Sequence, residues 1–154
     1  MKKKQLTVIL TWTCTLIWMA IIFYLSSQPA AQSDQLSNGL KNGLLSILTH
    51  LLPGIENIEI GNLDFLIRKN AHFIAYFILG VLTLLALFHS AASKPAKLAL
   101  LICLLYALSD EFHQLFVPGR SGQFRDVLID GAGAFLGVLL ASIVINRISR
   151  RFEV

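Results

Sequence analysis

Four long apolar stretches, separated by polar segments, dominate the pattern of this chain. They cover residues 6–25, 64–88, 98–117 and 124–145. An α-helix needs about 20 apolar residues to cross a hydrocarbon core of about 30 Å. No internal repeat or second domain is visible. The pattern therefore predicts one all-α domain over residues 1–154, built as a four-helix transmembrane bundle.

The first connection is the only long one, and its pattern differs from that of the spans. It begins with the polar turn SSQPAAQS, which a membrane helix does not continue through. Beyond this turn, apolar residues recur at three- and four-residue steps, at Leu36, Leu40, Leu44, Ile47, Leu48 and Leu51. This spacing predicts an amphipathic helix that lies on the membrane surface or packs over the bundle.

Composition supports a membrane protein. The chain is 55% hydrophobic and only 14% charged, whereas soluble domains carry about 25% charged residues. The net charge is +4, and eight of the thirteen basic residues flank the spans on one predicted side of the membrane. This distribution argues against a nucleic-acid partner. These eight are Lys2, Lys3, Lys4, Lys94, Lys97, Arg147, Arg150 and Arg151. The positive-inside rule then predicts that both termini are cytoplasmic and that the long first loop is external.

Ionisable residues nevertheless occur inside three of the apolar stretches. A lone charge at the bilayer centre costs roughly 2.5 to 3.5 kcal/mol, so such groups are by default paired, inward-facing and functional. Residues three, four or seven positions apart share a helix face. The stripes are Lys69, His72 and Tyr76 in the second stretch, Asp110, His113 and Gln114 in the third, and Asp126 and Asp130 in the fourth. Because His72, Asp110 and Asp130 all lie seven or eight residues from the predicted outer end, we expect an outward-facing polar pocket.

Small residues in the fourth stretch predict close helix packing. Gly133, Gly137 and Ala141 are spaced by four, so one face is nearly bare of side chains. Small residues in membrane helices let a neighbouring backbone approach. Packing is therefore the preferred interpretation of this face.

Several kinds of chemistry are compatible with the polar residues. Asp110, Glu111 and His72 are candidate catalytic residues, since carboxylates and imidazoles exchange protons as general acids and bases. Arg120 and Arg125 are candidates for binding an anionic group, because a guanidinium group can donate two hydrogen bonds to a phosphate or carboxylate. An internal salt-bridge network that fixes helix register remains an alternative. A metal held with His72 and His113 is disfavoured because no HExxH-type motif occurs, and no nucleotide-binding fingerprint is present, so we predict no metal and no cofactor.

Three motifs together resemble the VanZ-like family, which is named for a protein associated with low-level resistance to teicoplanin. They are FYLSSQP at 23–29, RKNAHFIAYFILG at 68–80 and SDEFHQLFVPGRSGQFRDVLIDGAGAFLG at 109–137. The resemblance carries the family pattern onto Ser26, Ser27, Gln28, Lys69, His72, Tyr76, Asp110, Glu111, Gln114, Arg120, Asp126 and Gly133. Members often have Asn where this chain has Asp130, which adds a carboxylate. The family has no established reaction.

The resemblance and the polar residues lead to one main functional hypothesis and two alternatives. The main hypothesis is a multi-pass protein of the bacterial plasma membrane whose outward pocket binds membrane lipids, a lipid-linked envelope precursor or a glycopeptide, and so affects teicoplanin susceptibility. Its candidate ligand-binding residues are Lys69, Tyr76, His113, Gln114, Arg120, Arg125, Asp126, Asp130, Ser27 and Gln28. One alternative is an enzyme acting on a lipid head group. The other is a proton-coupled transporter, disfavoured because residues 98–108 offer no polar path to the inside.

Overall fold

The described part of the chain forms four long helices. The computed structural model describes residues 2–33, 35, 38–39, 42–43, 46 and 63–152, with the backbone alone at 63–65, 150 and 152. The helices are α1 (Lys2–Ser26), α2 (Leu63–His89), α3 (Pro95–Gln114) and α4 (Phe124–Phe152). No strand occurs in these described ranges, which confirms the all-α prediction. The apolar residues of the predicted loop helix, Leu36, Leu40, Leu44, Ile47, Leu48 and Leu51, lie outside the described residues, and that helix stays a prediction.

Three of the helices are long and apolar enough to cross a membrane. The qualifying segments are Lys2–Ser26, Leu66–His89 and Phe124–Ser149. α3 is shorter, at 20 residues, and carries Lys97, Asp110 and Glu111. Large apolar side chains are exposed on the outer surface of all four helices, as expected where lipid replaces water around the protein. The chain is therefore a membrane protein.

α2 lies at the centre and packs against each of the other three helices, while α3 also packs against α4. Two indole hydrogen bonds fix the direction of α1 relative to α2. Trp12 Nε1 donates to Ser90 Oγ at 3.0 Å, and Trp18 Nε1 donates to the Ala75 carbonyl at 2.8 Å. The later residue of α1, Trp18, contacts the earlier residue of the α2 region, Ala75, so the two helices are antiparallel.

α2 and α4 approach each other closely along the predicted small-residue face. A Cβ atom at Gly133 would overlap the carbonyl oxygen of Phe73, and one at Gly137 would overlap that of Phe77. Both contacts advance by four residues on each helix, so α2 and α4 are parallel. A Cβ at Gly80 would overlap the backbone of α4 in turn. The packing interpretation of this face is confirmed.

The bundle interior divides into two parts along its length. Near the His89 end of α2, Leu84, Leu87, Ala99 and Val138 form an apolar cluster, with Ala141 packed against it. The other half combines apolar residues with buried polar ones. The buried carboxylates of the described residues thus all lie in the half of the bundle that holds the Ser26 end of α1 and the Gln114 end of α3.

α3 ends at Gln114, three residues before the predicted end at residue 117. The amides of Leu115, Phe116 and Val117 bond to carbonyls three residues back, at 3.3, 3.0 and 3.1 Å, so the chain tightens into a turn. Gly119 then adopts a left-handed conformation with φ of 74°, which glycine tolerates without steric cost. This turn places the connection from α3 to α4 over the polar half of the bundle.

Candidate functional site

Two polar pairs join α2 to α4. Lys69 Nζ forms an ion pair with Asp126 Oδ1, and His72 Nδ1 lies 3.3 Å from Asp130 Oδ1. Because the two helices are parallel, the stripe of one meets the stripe of the other in register. Asp126 and Asp130 are both buried. The structure therefore brings together the stripes that the spacing of residues predicted on α2 and α4.

The adjacent carboxylates of α3 face different neighbours. Asp110 Oδ1 accepts a hydrogen bond from Ser26 Oγ of α1 at 2.5 Å, and its Oδ2 accepts one from Gln114 Nε2 at 3.3 Å. Glu111 Oε2 accepts one from the backbone amide of Gln123 at 2.7 Å. Neighbouring residues on a helix point about 100° apart, so Asp110 fixes α1 while Glu111 holds the start of α4.

His72, Glu111 and Asp130 converge from three helices. Each offers one nitrogen or oxygen atom, and these atoms lie within 4.8 Å of one another. Around them, Tyr76 OH, Glu111 Oε1 and Asp130 Oδ2 are buried without a hydrogen-bond partner in the described part of the chain. Buried polar groups normally have partners. The unpaired atoms therefore mark this cluster as a candidate site.

Two adjoining cavities flank these residues. A cavity of about 500 Å³ lies between α1 and α2 and is lined mainly by apolar side chains, including Trp18, Ile22 and Ile78. A smaller cavity of about 210 Å³ is lined mainly by polar groups. Its lining consists of Arg68, Lys69, His72, Gln114, Gly119, Arg120, Ser121, Gln123 and Asp126. Arg68, His72 and Arg120 line both cavities, so the two spaces meet at these three residues.

Arg120 has a structural task at this junction. Its Nε donates to the Gln28 carbonyl at 2.9 Å and its Nη2 to the Leu25 carbonyl at 3.2 Å. These carbonyls lie at the C-terminal end of α1, where a cation is favourable. The Ala30 amide adds a bond to the Pro118 carbonyl at 3.2 Å. Arg120 therefore attaches the end of α1 to the α3–α4 connection while it lines both cavities.

The other predicted site residues are spread more widely. Tyr76 and Gln28 line the larger cavity, whereas the Ser27 hydroxyl bonds to the Tyr24 carbonyl of its own turn. The ring of His113 packs against that of Phe23, with centroids 4.5 Å apart. Ser27, His113 and Arg125 line neither of these cavities, and Arg125 is exposed. The structure thus does not place these three with the other candidates.

The candidate site residues did not include Arg68, and Ser26 was named only through the family resemblance. Ser26 is buried against Asp110, and Arg68 lines both cavities. The structure shows why Ser26 matters, because the buried residues of α1 are Thr15, Ile22 and Ser26, which are seven and four positions apart. That spacing places Ser26, and not Ser27, on the inward face. The backbone amide that binds Glu111 has no signal in the sequence.

Comparison with known proteins identifies the family. A model of the VanZ/LLP1 family matches residues 11–145, which include α1 from its third turn, α2, α3 and most of α4. Searches of curated proteins and of solved structures give no significant match. The family match covers most of the chain, including every residue of the converging cluster. The protein therefore belongs to the VanZ/LLP1 family.

Proposed function

We propose that this VanZ/LLP1 protein binds an anionic lipid-linked molecule of the bacterial cell envelope in its paired cavities. The supporting observation is that an apolar cavity and a positively charged polar cavity meet at Arg68, His72 and Arg120. A lipid-linked ligand has the same division into an apolar chain and a polar head. Each cavity thus fits one part of such a molecule.

The larger cavity has the properties of a site for an alkyl chain. Its volume of about 500 Å³ falls within the range of small-molecule sites, about 300 to 1,000 Å³. Ile21, Leu25 and Ile74 line it and are also exposed on the outer surface of α1 and α2. The cavity therefore borders the membrane-facing side of the bundle, from which a lipid chain can enter without crossing water.

The smaller cavity favours a negatively charged group. Arg68, Lys69 and Arg120 line it, with Asp126 as the single carboxylate in the lining. Guanidinium groups bind phosphate and carboxylate through charge-assisted hydrogen bonds. Arg120 also donates to the carbonyls of α1, so Arg68 and Arg120 are proposed to bind the anionic group together. The cavity lining thus attracts an anionic head group.

The proposed setting is the bacterial plasma membrane, with α1 to α4 all crossing it as one domain. Eight basic residues then lie on the cytoplasmic side with both termini, in agreement with the positive-inside rule. The Ser26 end of α1 and the α3–α4 connection face outward. In this orientation the cavities open toward the outer leaflet, where envelope precursors are used.

Quenching of Trp18 fluorescence tests this proposal, because Trp18 lines the apolar cavity. The Trp12→Phe protein is placed in nanodiscs containing brominated phosphatidylglycerol or brominated phosphatidylcholine. The anionic lipid should quench more strongly at equal mole fraction. Arg68→Gln should lower this preference by about tenfold, since a hydrogen bond to a charged group contributes about 1.5 to 3 kcal/mol.

A matched pair of alanine substitutions provides the control for the apolar cavity. Ala71 lines this cavity, whereas Ala132 is exposed on α4 and lines neither cavity. Ala71→Phe should reduce quenching of Trp18 by the bound lipid, and Ala132→Phe should leave it unchanged. Equal quenching by both lipids in every variant would contradict the proposal.

In the cell, this binding is proposed to influence susceptibility to teicoplanin, a glycopeptide that acts on the cell envelope. Deletion of the gene should change the inhibitory concentration of teicoplanin, and wild-type protein should restore it. The Arg68→Gln protein, produced at the same level, should fail to restore it. Unchanged teicoplanin susceptibility and unchanged envelope lipids in the deletion strain would contradict the proposed effect of lipid binding in the cell.

A second candidate function is hydrolysis or transfer at the lipid head group. It is favoured by the pairing of His72 with Asp130, since a carboxylate behind an imidazole orients it as a general base. His72 and Asp110 both line the larger cavity. Purified protein should then convert an anionic envelope lipid, and His72→Gln and Asp110→Asn should each abolish turnover. Binding without conversion by the wild-type protein would favour the first function.

A further inference from the structure

We propose that His72, Glu111 and Asp130 bind a divalent transition-metal ion. The three side chains come from α2, α3 and α4, and one potential ligand atom of each lies within 4.8 Å of the others. Glu111 is 6% and Asp130 is 0% exposed, so this is an interior cluster and not a patch of solvated surface acids. The inference does not depend on the proposed lipid ligand.

The spacing of the cluster is compatible with coordination. Zinc bonds to nitrogen and oxygen of about 2.0 to 2.2 Å place neighbouring ligand atoms roughly 3 to 3.5 Å apart. His72 Nδ1 and Asp130 Oδ1 are already 3.3 Å apart. Because the three ligand atoms all lie within 4.8 Å of one another, a small adjustment of the Glu111 carboxylate is proposed to complete the coordination.

Unpaired oxygen atoms provide an independent indication of a cation. Glu111 Oε1 and Asp130 Oδ2 are buried and have no hydrogen-bond partner in the described part of the chain. The other Glu111 oxygen accepts the Gln123 amide, which fixes the direction of the carboxylate as hydrogen bonds to metal ligands do. A cation between these carboxylates would satisfy both oxygens at once.

The donor set selects the class of ion. One imidazole and two carboxylates suit zinc, manganese or iron, whereas magnesium prefers oxygen ligands and retains its water. Three protein ligands leave coordination positions open, as in catalytic metal sites. His72 lines both cavities, so the ion would lie beside the space proposed for the anionic group. No local motif reveals this set, because its members are on three helices.

Metal binding is tested on the full-length protein purified in detergent and treated with a chelator. Isothermal titration with Zn²⁺, checked by elemental analysis, should give one ion per chain. Mg²⁺ should bind at least about tenfold more weakly, in line with the preference of imidazole for transition metals. Glu111→Gln and Asp130→Asn should each lower Zn²⁺ affinity by about tenfold or more, as loss of a ligand or its support does.

His113→Asn is the matched control, because this second histidine packs against Phe23 and lies outside the cluster. It should bind Zn²⁺ as the wild-type protein does. His72→Cys replaces the imidazole with a thiolate, so it should retain Zn²⁺ binding and lose Mn²⁺ binding. Absence of stoichiometric Zn²⁺ and Mn²⁺ in the folded wild-type protein would overturn the proposal, as would wild-type affinity in Glu111→Gln and Asp130→Asn.

Discussion

The ion pair between Lys69 and Asp126 shows how single residues hold this bundle together. Their side chains are 13% and 11% exposed, so removal of one partner leaves a largely buried charge. We predict that Lys69→Met lowers the free energy of unfolding by about 3 kcal/mol, the low end for a broken buried pair. The double variant Lys69→Met/Asp126→Leu should recover most of this loss, because it removes both charges of the pair. Urea unfolding in detergent measures both.

The exposed residue Arg125 supplies the control for this cycle. Arg125→Gln lies next to Asp126 but changes only a surface charge, so its effect should stay within about 0.5 kcal/mol. A double variant that is as unstable as Lys69→Met would show that the pair is not the source of the effect.

Ser26 provides a second prediction for a single residue. Its hydroxyl donates to the buried Asp110 carboxylate, and loss of this bond leaves a carboxylate oxygen unsatisfied. Ser26→Ala should therefore lower the free energy of unfolding by about 1 to 3 kcal/mol. Ser27→Ala should change the free energy of unfolding little, because the Ser27 hydroxyl bonds to the Tyr24 carbonyl of its own turn and reaches no buried carboxylate of the described residues. Thermal unfolding of the two variants measures the difference, and equal losses would contradict the assignment.

The spacing of polar residues predicted part of the site. Helical periodicity placed Lys69 and His72 on one face of α2, and the structure pairs that face with Asp126 and Asp130 of α4. The same reasoning did not reveal that Arg120 donates to the end of α1. Periodicity describes one helix at a time, whereas the target of a long side chain depends on how separate elements pack.

At the scale of the helices, the small-residue face of α4 is the feature that the sequence predicted best. Glycines spaced by four have one physical use in a membrane helix, close approach, and the structure shows them against the carbonyls of α2. The end of α3 was predicted less well. The apolar run continues to Val117, but backbone bonds to carbonyls three residues back end the helix at Gln114. The hydrophobicity of the run does not indicate where the α-helix ends.

Two glycines of α4 allow a direct test of helix packing. A Cβ at Gly133 would overlap the Phe73 carbonyl, whereas one at Gly131 would meet only Leu104, at 4.0 Å. Alanine is favoured over glycine in a helix by up to about 1 kcal/mol. Gly131→Ala should therefore be neutral or stabilising. Gly133→Ala should lower the melting temperature because α2 and α4 must separate. Equal melting temperatures would show that the helices are not in close contact here.

At the scale of the whole molecule, the two halves of the bundle have different roles. The half near His89 of α2 is filled by an apolar cluster, while the half near Ser26 of α1 contains the carboxylates and both cavities. Among the described residues, the buried carboxylates thus occupy one end and are closed off from the other. This arrangement favours a binding pocket over a transport path.

The orientation of the bundle decides which side of the membrane the pocket serves. Ser93 and Ser121 are exposed in the connections at opposite ends of α3. We predict that Ser121→Cys reacts with a membrane-impermeant maleimide in intact cells, while Ser93→Cys reacts only after permeabilisation. Native Cys14 and Cys103 are first replaced by Ser and Ala to remove background labelling. The expectation follows from the basic residues Lys94 and Lys97, which favour the cytoplasmic side.

Each alternative labelling pattern has a distinct physical meaning. Reversed labelling would place the cavities on the cytoplasmic side and would contradict the proposed access to external envelope molecules. Labelling of both positions from the same side would show that α3 does not cross the membrane. The crossing of α3 is the most demanding part of the topology, because this helix carries three charged residues, Lys97, Asp110 and Glu111. The predicted pattern requires the burial of Asp110 and Glu111 inside the bundle. Hydrogen bonds from Ser26 and Gln114 to Asp110, and from the Gln123 amide to Glu111, then lower the energetic cost of the crossing of α3.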